Sequence, residues 1–178
     1  MKIGAPFTGT CQCGELRYVI RSEPIVTVDC HCPDCQKMSA SAFSLTMLIA
    51  AASFELVSGN LNVFERSTDS GGSALCYFCP TCGNRVYHES PQMPGYYRLK
   101  PGGLDDTSRI SPQAHVWTSR AQTWYEFTGG VPVYETQPDL KEFLAQILAY
   151  RKVASRRIRP IDAHQTLRSL LRRSLNSH

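Results

Sequence analysis

Three thiols stand within six residues in Cys30-His-Cys32-Pro-Asp-Cys35, and two further pairs, Cys11-Gln-Cys13 and Cys79-Pro-Thr-Cys82, flank them at a distance. Thiols this crowded are not ordinary core filling. Their spacing suits a soft divalent ion such as zinc, which thiolates hold tetrahedrally. Cys11 and Cys13 are two apart, so on a strand both side chains project to one side. Cys79 and Cys82 form a knuckle followed by Gly83, where a small residue relieves crowding as the backbone folds round an ion. The four together make a closed set with no free coordination position, hence a structural zinc. Cys30, Cys32 and Cys35 remain, with Pro33-Asp34 able to turn the chain so that Cys35 returns to its partners. Three protein ligands and one open place are the arrangement of a catalytic zinc. A thiol substrate suits that place, since zinc lowers its pKa and a soft ligand matches a soft site.

The fourth place could also be filled from the chain itself. Cys76, His31, His88 and His115 are the candidates. His31 lies between two cysteines and is expected to point the other way. Cys76 is the serious rival, although a small buried hydrophobe on the strand entering Cys79 is the simpler role for it.

The elements that must position these groups are mostly extended. Residues 7–28 read as strands broken by Gly9 and Gly14, and Pro24-Ile-Val-Thr-Val28 runs into the central cysteines. Residues 36–42 are small and polar. Phe43–Ile49 alternates as a strand, Ala50–Val57 is ambiguous between a short helix and a strand, and Ser58-Gly-Asn60 and Ser70-Gly-Gly-Ser73 are turns. Ala74–Phe78 and Arg85–His88 bracket the second knuckle as strands. Residues 91–108 are loop with one short strand at Tyr96–Leu99, Gln113–Trp117 is a further strand, and Trp124–Phe127 closes the body. Many short extended segments predict a mainly β fold.

After residue 135 the character changes. Residues 1–135 carry a net charge of −2, whereas residues 136–178 carry +6, so the basicity belongs to the tail. We expect a zinc-binding β domain at 1–135 and a basic amphipathic helical extension at 136–178. Asp139, with Glu142 three residues on, is the N-cap of a helix whose apolar stripe is Leu140, Phe143, Leu144, Ile147 and Leu148. A second helix is expected beyond Pro160, capped at Asp162 with Gln165, its stripe Leu167, Leu170, Leu171 and Leu175. These stripes would pack on the body or on a second subunit, making a homo-oligomer, with the arginines solvated. Nucleic-acid binding is disfavoured because aromatics for stacking are nearly absent from this basic region.

The longest apolar patch, Met47–Ala52, is far too short to span a bilayer, and the N-terminus has no apolar signal region. A cytoplasmic, membrane-free location is therefore the expectation, and eight cysteines there are better explained by metal or reduced thiols than by disulfides.

The motifs Gly9-Thr-Cys-Gln-Cys-Gly14, Cys30-His-Cys-Pro-Asp-Cys-Gln-Lys37, Phe78-Cys-Pro-Thr-Cys-Gly83 and Pro112-Gln-Ala-His-Val-Trp117 resemble, in order and spacing, the glutathione-dependent formaldehyde-activating enzyme family, which includes centromere-protein-V-like proteins. The likeness covers residues 4–130. It implies zinc-clipped antiparallel β-sheets of the Mss4-like type, with Cys11, Cys13, Cys79 and Cys82 on a structural zinc and Cys30, Cys32 and Cys35 on a second, exchangeable one. The implied activity is that of a carbon–sulfur lyase acting on a small thiol or thiol–aldehyde adduct, glutathione plus formaldehyde being the founding pair. One departure stands out: the family usually has Arg or Lys where this chain has Cys76. Lys37 is retained, and Arg17, Arg85 and Arg98 are other sources of charge for an anionic substrate. His115, His88 and Tyr87 are candidate general acids. The competing expectations are a non-catalytic zinc module that binds protein or nucleic acid through the basic tail, and a redox-active three-cysteine site.

Overall fold

The computed structural model describes residues 4–157 apart from 69–70 and 128–129, with side chains as far as residue 152. The expected second helix of the tail lies outside the described residues. The fold is mainly β. Strands β1 (Phe7–Thr10), β2 (Arg17–Ile20) and β5 (Phe54–Ser58) form an antiparallel three-stranded sheet in the order β1-β2-β5. The larger sheet comprises β3 (Val26–Cys30), β4 (Ser44–Ala50), β6 (Asn62–Ser67), β7 (Ser73–Phe78), β8 (Arg85–Glu89), β9 (Tyr96–Leu99), β10 (His115–Val116) and β11 (Val133–Tyr134). Its order is β11-β10-β3-β4-β9-β8-β7-β6. Most neighbours are antiparallel, but β10 runs parallel to both β3 and β11.

The two sheets share one core. Leu16, Tyr18 and Ile20 from the smaller sheet and its turn meet Met47, Ile49, Val86 and Leu99 from the larger one. Tyr18 lies flat over Gly9: a Cβ there would stand 2.2 Å from the Tyr18 ring, so only glycine fits. The ambiguous stretch after β4 resolves into a 3-10 turn at Ala51–Ser53 followed at once by β5.

Two α-helices accompany the sheets among the described residues. Helix α1 (Pro33–Ser39) occupies part of the segment read as small and polar. Its cues are local: Cys32 is the N-cap, Pro33 opens the first turn, Asp34 is acidic there, Lys37 is basic in the last, and Ala40 ends it in the left-handed region. Helix α2 (Leu140–Arg157) begins where expected, with the Asp139 carboxylate accepting from the backbone N–H groups of Lys141 and Glu142, each at 3.0 Å. Phe143 and Ile147 are buried against Val26, Ala114 and Val116, with Val28 and Cys30 beside them. Leu140 and Leu148, expected in the same stripe, are exposed, because the contact is narrower than the sequence stripe. Arg151 is not solvated as expected. Its guanidinium donates to the Ile25 carbonyl at 2.8 Å and to Gln113 Oε1 at 2.7 Å, tying the helix to the start of β3. No helix among the described residues is long and apolar enough to cross a membrane.

Candidate functional site

Cys11 and Cys13 were expected on a strand, but β1 ends at Thr10 and the pair sits in a turn. Gly14, at φ +82°, lets that turn close: its N–H reaches the Cys11 carbonyl at 2.9 Å, and the Leu16 N–H donates to Cys11 Sγ at 3.2 Å. Between β7 and β8 the same device recurs. Gly83, at φ +71°, donates to the Cys79 carbonyl, and the Cys79 N–H donates to Asn84 O, both at 2.9 Å. The two turns bring the sulfurs of Cys11, Cys13, Cys79 and Cys82 within 4.8 Å of one another. Cys11 and Cys13 sulfurs are 3.3 Å apart, and those of Cys13 and Cys79 are 3.7 Å apart. A tetrahedron with Zn–S bonds of 2.3 Å has edges of about 3.8 Å, so this set fits the ion. Backbone N–H groups add to the fit: those at Asn84 and then Cys13 draw the Cys82 thiol down to about 6.

The second cluster, Cys30, Cys32 and Cys35, also has its sulfurs within 4.8 Å of one another. Cys30 ends β3, Cys32 caps α1 and Cys35 lies in its first turn, so strand end and helix start together aim three thiols at one point. Cys32 Sγ accepts from the Cys35 N–H at 3.4 Å. Its pKa is drawn down to about 2, chiefly because the Cys30 thiol and then the Cys35 thiol donate to it, while Cys30 is pushed up. Thiolate character thus concentrates on Cys32, with Cys30 and Cys35 pushed up, and three converging sulfurs suit a zinc ligand set. All eight cysteines are free thiols.

Among the described residues, no fourth Cys, His, Asp or Glu joins this trio within the same distance. Cys76 is buried on β7, with its sulfur 3.7 Å from the Ala74 carbonyl. His88 is buried on β8 opposite Cys76, and its imidazole is held neutral, first by burial and then by Lys100, Arg85, Arg66 and Arg98. Tyr87 is buried in a stack between Tyr77 and Tyr97, with ring centroids 4.5 and 4.1 Å away, and burial pushes its pKa up.

Positive charge gathers round the cluster. The Lys100 ammonium donates to Ser44 Oγ at 3.2 Å and Thr46 Oγ1 at 3.0 Å, and its charge favours the Cys35 thiolate. Arg66 on β6 bonds Asp34 of α1 at 2.5 Å and favours both the Cys32 and Cys76 thiolates. Arg66 of β6 therefore brings a cation beside Cys76 of β7. Arg85 and Arg98 are half-buried nearby, whereas Arg17 and Lys37 are exposed. Arg85 Nη1 and Arg66 Nε are buried with no acceptor. A cavity of about 430 Å³ is lined by Lys100, Arg85, Asn84, Ser44 and Phe43.

The sequence reading missed a third grouping. Asp29, His31 and His115 are all buried, with ligand atoms within 4.8 Å of one another. Asp29 alternates with Cys30 along β3 and so faces away from the cysteines, as His31 does. The parallel pairing of β10 sets His115 beside Asp29, 86 residues away in sequence. The only available cue was the alternation Asp29-Cys30-His31-Cys32 itself. His115, a candidate acid for the cysteine site, is thus committed to Asp29.

No curated protein matches the chain. A solved structure of a Rhodobacter sphaeroides protein shares 22% identity and a TM-score of 0.46, covering 59% of this chain and 91% of that one. Residues 6–120 match the family described as glutathione-dependent formaldehyde-activating enzyme. That match takes in more than half of the chain, which therefore belongs to the glutathione-dependent formaldehyde-activating enzyme family.

Proposed function

We propose that the chain is a zinc-dependent carbon–sulfur lyase-type enzyme that joins glutathione, or a similar small anionic thiol, to formaldehyde. Family membership supports glutathione-related formaldehyde activation, and the two cysteine clusters are compatible with zinc. In this reading Cys11, Cys13, Cys79 and Cys82 hold a structural ion, and Cys30, Cys32 and Cys35 hold a second one with a place left for substrate. Zinc at the second cluster would lower the pKa of a substrate thiol and keep it as thiolate.

The observation that carries the proposal is the pair of unpartnered, buried guanidinium donors, Arg85 Nη1 and Arg66 Nε, in the electrostatic field of the three-cysteine cluster. A buried donor without an acceptor is costly, and a carboxylate is the acceptor that matches a guanidinium best. Glutathione has two carboxylates and one thiol. Arg66, Arg85 and Lys100 would bind the carboxylates and orient the sulfur beside the aldehyde, which is catalysis by positioning. Sulfur then forms a bond to the carbonyl carbon, the C=O π bond breaks, and the proton lost from the thiol ends on the new hydroxyl. Tyr87 is disfavoured as proton donor by its raised pKa, and His88 by its neutral state.

The test is exchange NMR of glutathione with formaldehyde, comparing zinc-loaded protein with the uncatalysed reaction. Wild type should accelerate formation of S-hydroxymethylglutathione. Cys32→Ser should lose the acceleration and about one zinc per chain while staying folded. Wild-type protein that carries its zinc yet never exceeds the uncatalysed rate would refute the enzyme reading and favour a binding module.

A further inference from the structure

We propose that Asp29, His31 and His115 form a third metal site, distinct from both cysteine clusters, for a divalent first-row transition ion. The three residues are almost wholly buried, at 1%, 0% and 6% exposure. Neither ring nitrogen of His31 has a hydrogen-bond partner, and His115 Nε2 has none either. The Ala42 backbone acts on the charge of His31 without meeting hydrogen-bond geometry. Imidazoles sealed in a protein normally find partners, and an ion takes one nitrogen from each ring, so the unpartnered His31 ring beside the Asp29 carboxylate marks a missing group.

The geometry favours an ion as that group. His31 Nε2 lies 3.9 Å from Asp29 Oδ1, too far for a hydrogen bond yet within the span of two ligands on one ion with bonds near 2.1 Å. On the other side, His115 Nδ1 is 2.6 Å from Oδ1 and 2.8 Å from Oδ2 of Asp29, and Tyr125 donates its hydroxyl to Oδ2 at 3.2 Å. The 2.6 Å contact joins the same two atoms that a cation would bridge once the imidazole proton is lost. Ion entry would widen it to about 3.4 Å, the spacing of tetrahedral ligands with bonds of 2.1 Å. The Tyr125 hydroxyl already supplies the outer hydrogen bond that steadies a ligating carboxylate.

The donor set differs in kind from the thiolate clusters. Two imidazoles and one carboxylate, with coordination positions left over, suit iron(II), cobalt(II) or zinc without soft selectivity. Phe43, Tyr125 and Phe127 pack round the His31 ring at centroid distances of 5.6, 4.7 and 5.4 Å. A cavity of about 560 Å³ lined by Asp29, His115 and Tyr125 supplies the entry path.

Cobalt(II) added to full-length protein that carries two zinc ions per chain tests the site. Wild type should take up one equivalent of cobalt while keeping its zinc and showing no thiolate-to-cobalt charge-transfer absorption. Asp29→Asn and His115→Gln should each lose that cobalt and retain the zinc, which reports an intact fold. Failure to bind cobalt, or equal binding by both variants, overturns the proposal. If the variants lose zinc as well, anomalous scattering from cobalt-soaked wild-type crystals decides. A peak among the three side chains supports the site, and its absence overturns it.

Discussion

Replacing Cys79 by serine tests the four-thiolate assignment most directly. Cys79 is fully buried, and its sulfur approaches that of Cys13 across 66 residues of chain. If a zinc ion links the two turns, it cross-links the chain much as a disulfide would. Closing a loop of 66 residues removes about 4 kcal/mol of denatured-state entropy at 25 °C by the chain-entropy relation. For a chain of this size each kcal/mol moves the melting temperature by about 2–4 °C, so Cys79→Ser should melt about 8–16 °C below wild type. Thermal unfolding followed by circular dichroism, with zinc per chain measured alongside, is the assay. Wild type stripped by a strong chelator should fall by a similar amount, and the variant should fall little further. Were Cys79→Ser to keep its full zinc and melt within about 2 °C of wild type, the cross-link reasoning would be wrong.

Other expectations follow from the same structure. Cys76→Ala should leave zinc per chain unchanged by elemental analysis, since Cys76 lies outside the trio; loss of one zinc would make it a ligand. Ile147→Ala, at a site only 1% exposed, should cost about 2–5 kcal/mol in urea unfolding. Leu148→Ala, 57% exposed, should change stability by less than about 0.5 kcal/mol, and equal effects would contradict the docking of α2. His88 has a folded-state pKa depressed to about 2, so the unfolded chain binds the extra proton first as pH falls below about 6.5. Its contribution to stability is present above that pH and is lost progressively towards pH 2, at up to about 1.4 kcal/mol per pH unit. The acid limb of stability against pH should therefore be shallower in His88→Gln, and an unchanged limb would contradict burial as the cause.

Local features were legible in the sequence, and features made by distant chain segments were not. Cys30, Cys32 and Cys35 are six residues end to end, so their convergence could be read without a fold. The knuckle at Cys79 and Cys82 was equally plain, as was the Asp139 cap. Helix α1 was missed although its cap, its Pro33 and its charges were all present, because residues 36–42 contain no apolar period to follow. The apolar stripe of α2 gave its direction but not the width of its contact with the body, and Leu140 and Leu148 of that stripe are exposed. The Asp29–His115 contact depends on a two-residue parallel strand, and nothing in either segment announces its partner.

The separation between Cys13 and Cys79 also has a consequence for biosynthesis. The central trio is complete once Cys35 has been made, so it can capture an ion while most of the chain is still untranslated. The N-terminal pair must wait for its partners, and at about 5–20 residues per second the separation of 66 residues between Cys13 and Cys79 takes about 3–13 s. During that interval Cys11 and Cys13 are two thiols without their mates. If both clusters hold zinc, they should therefore fill in the order opposite to that of their first cysteines.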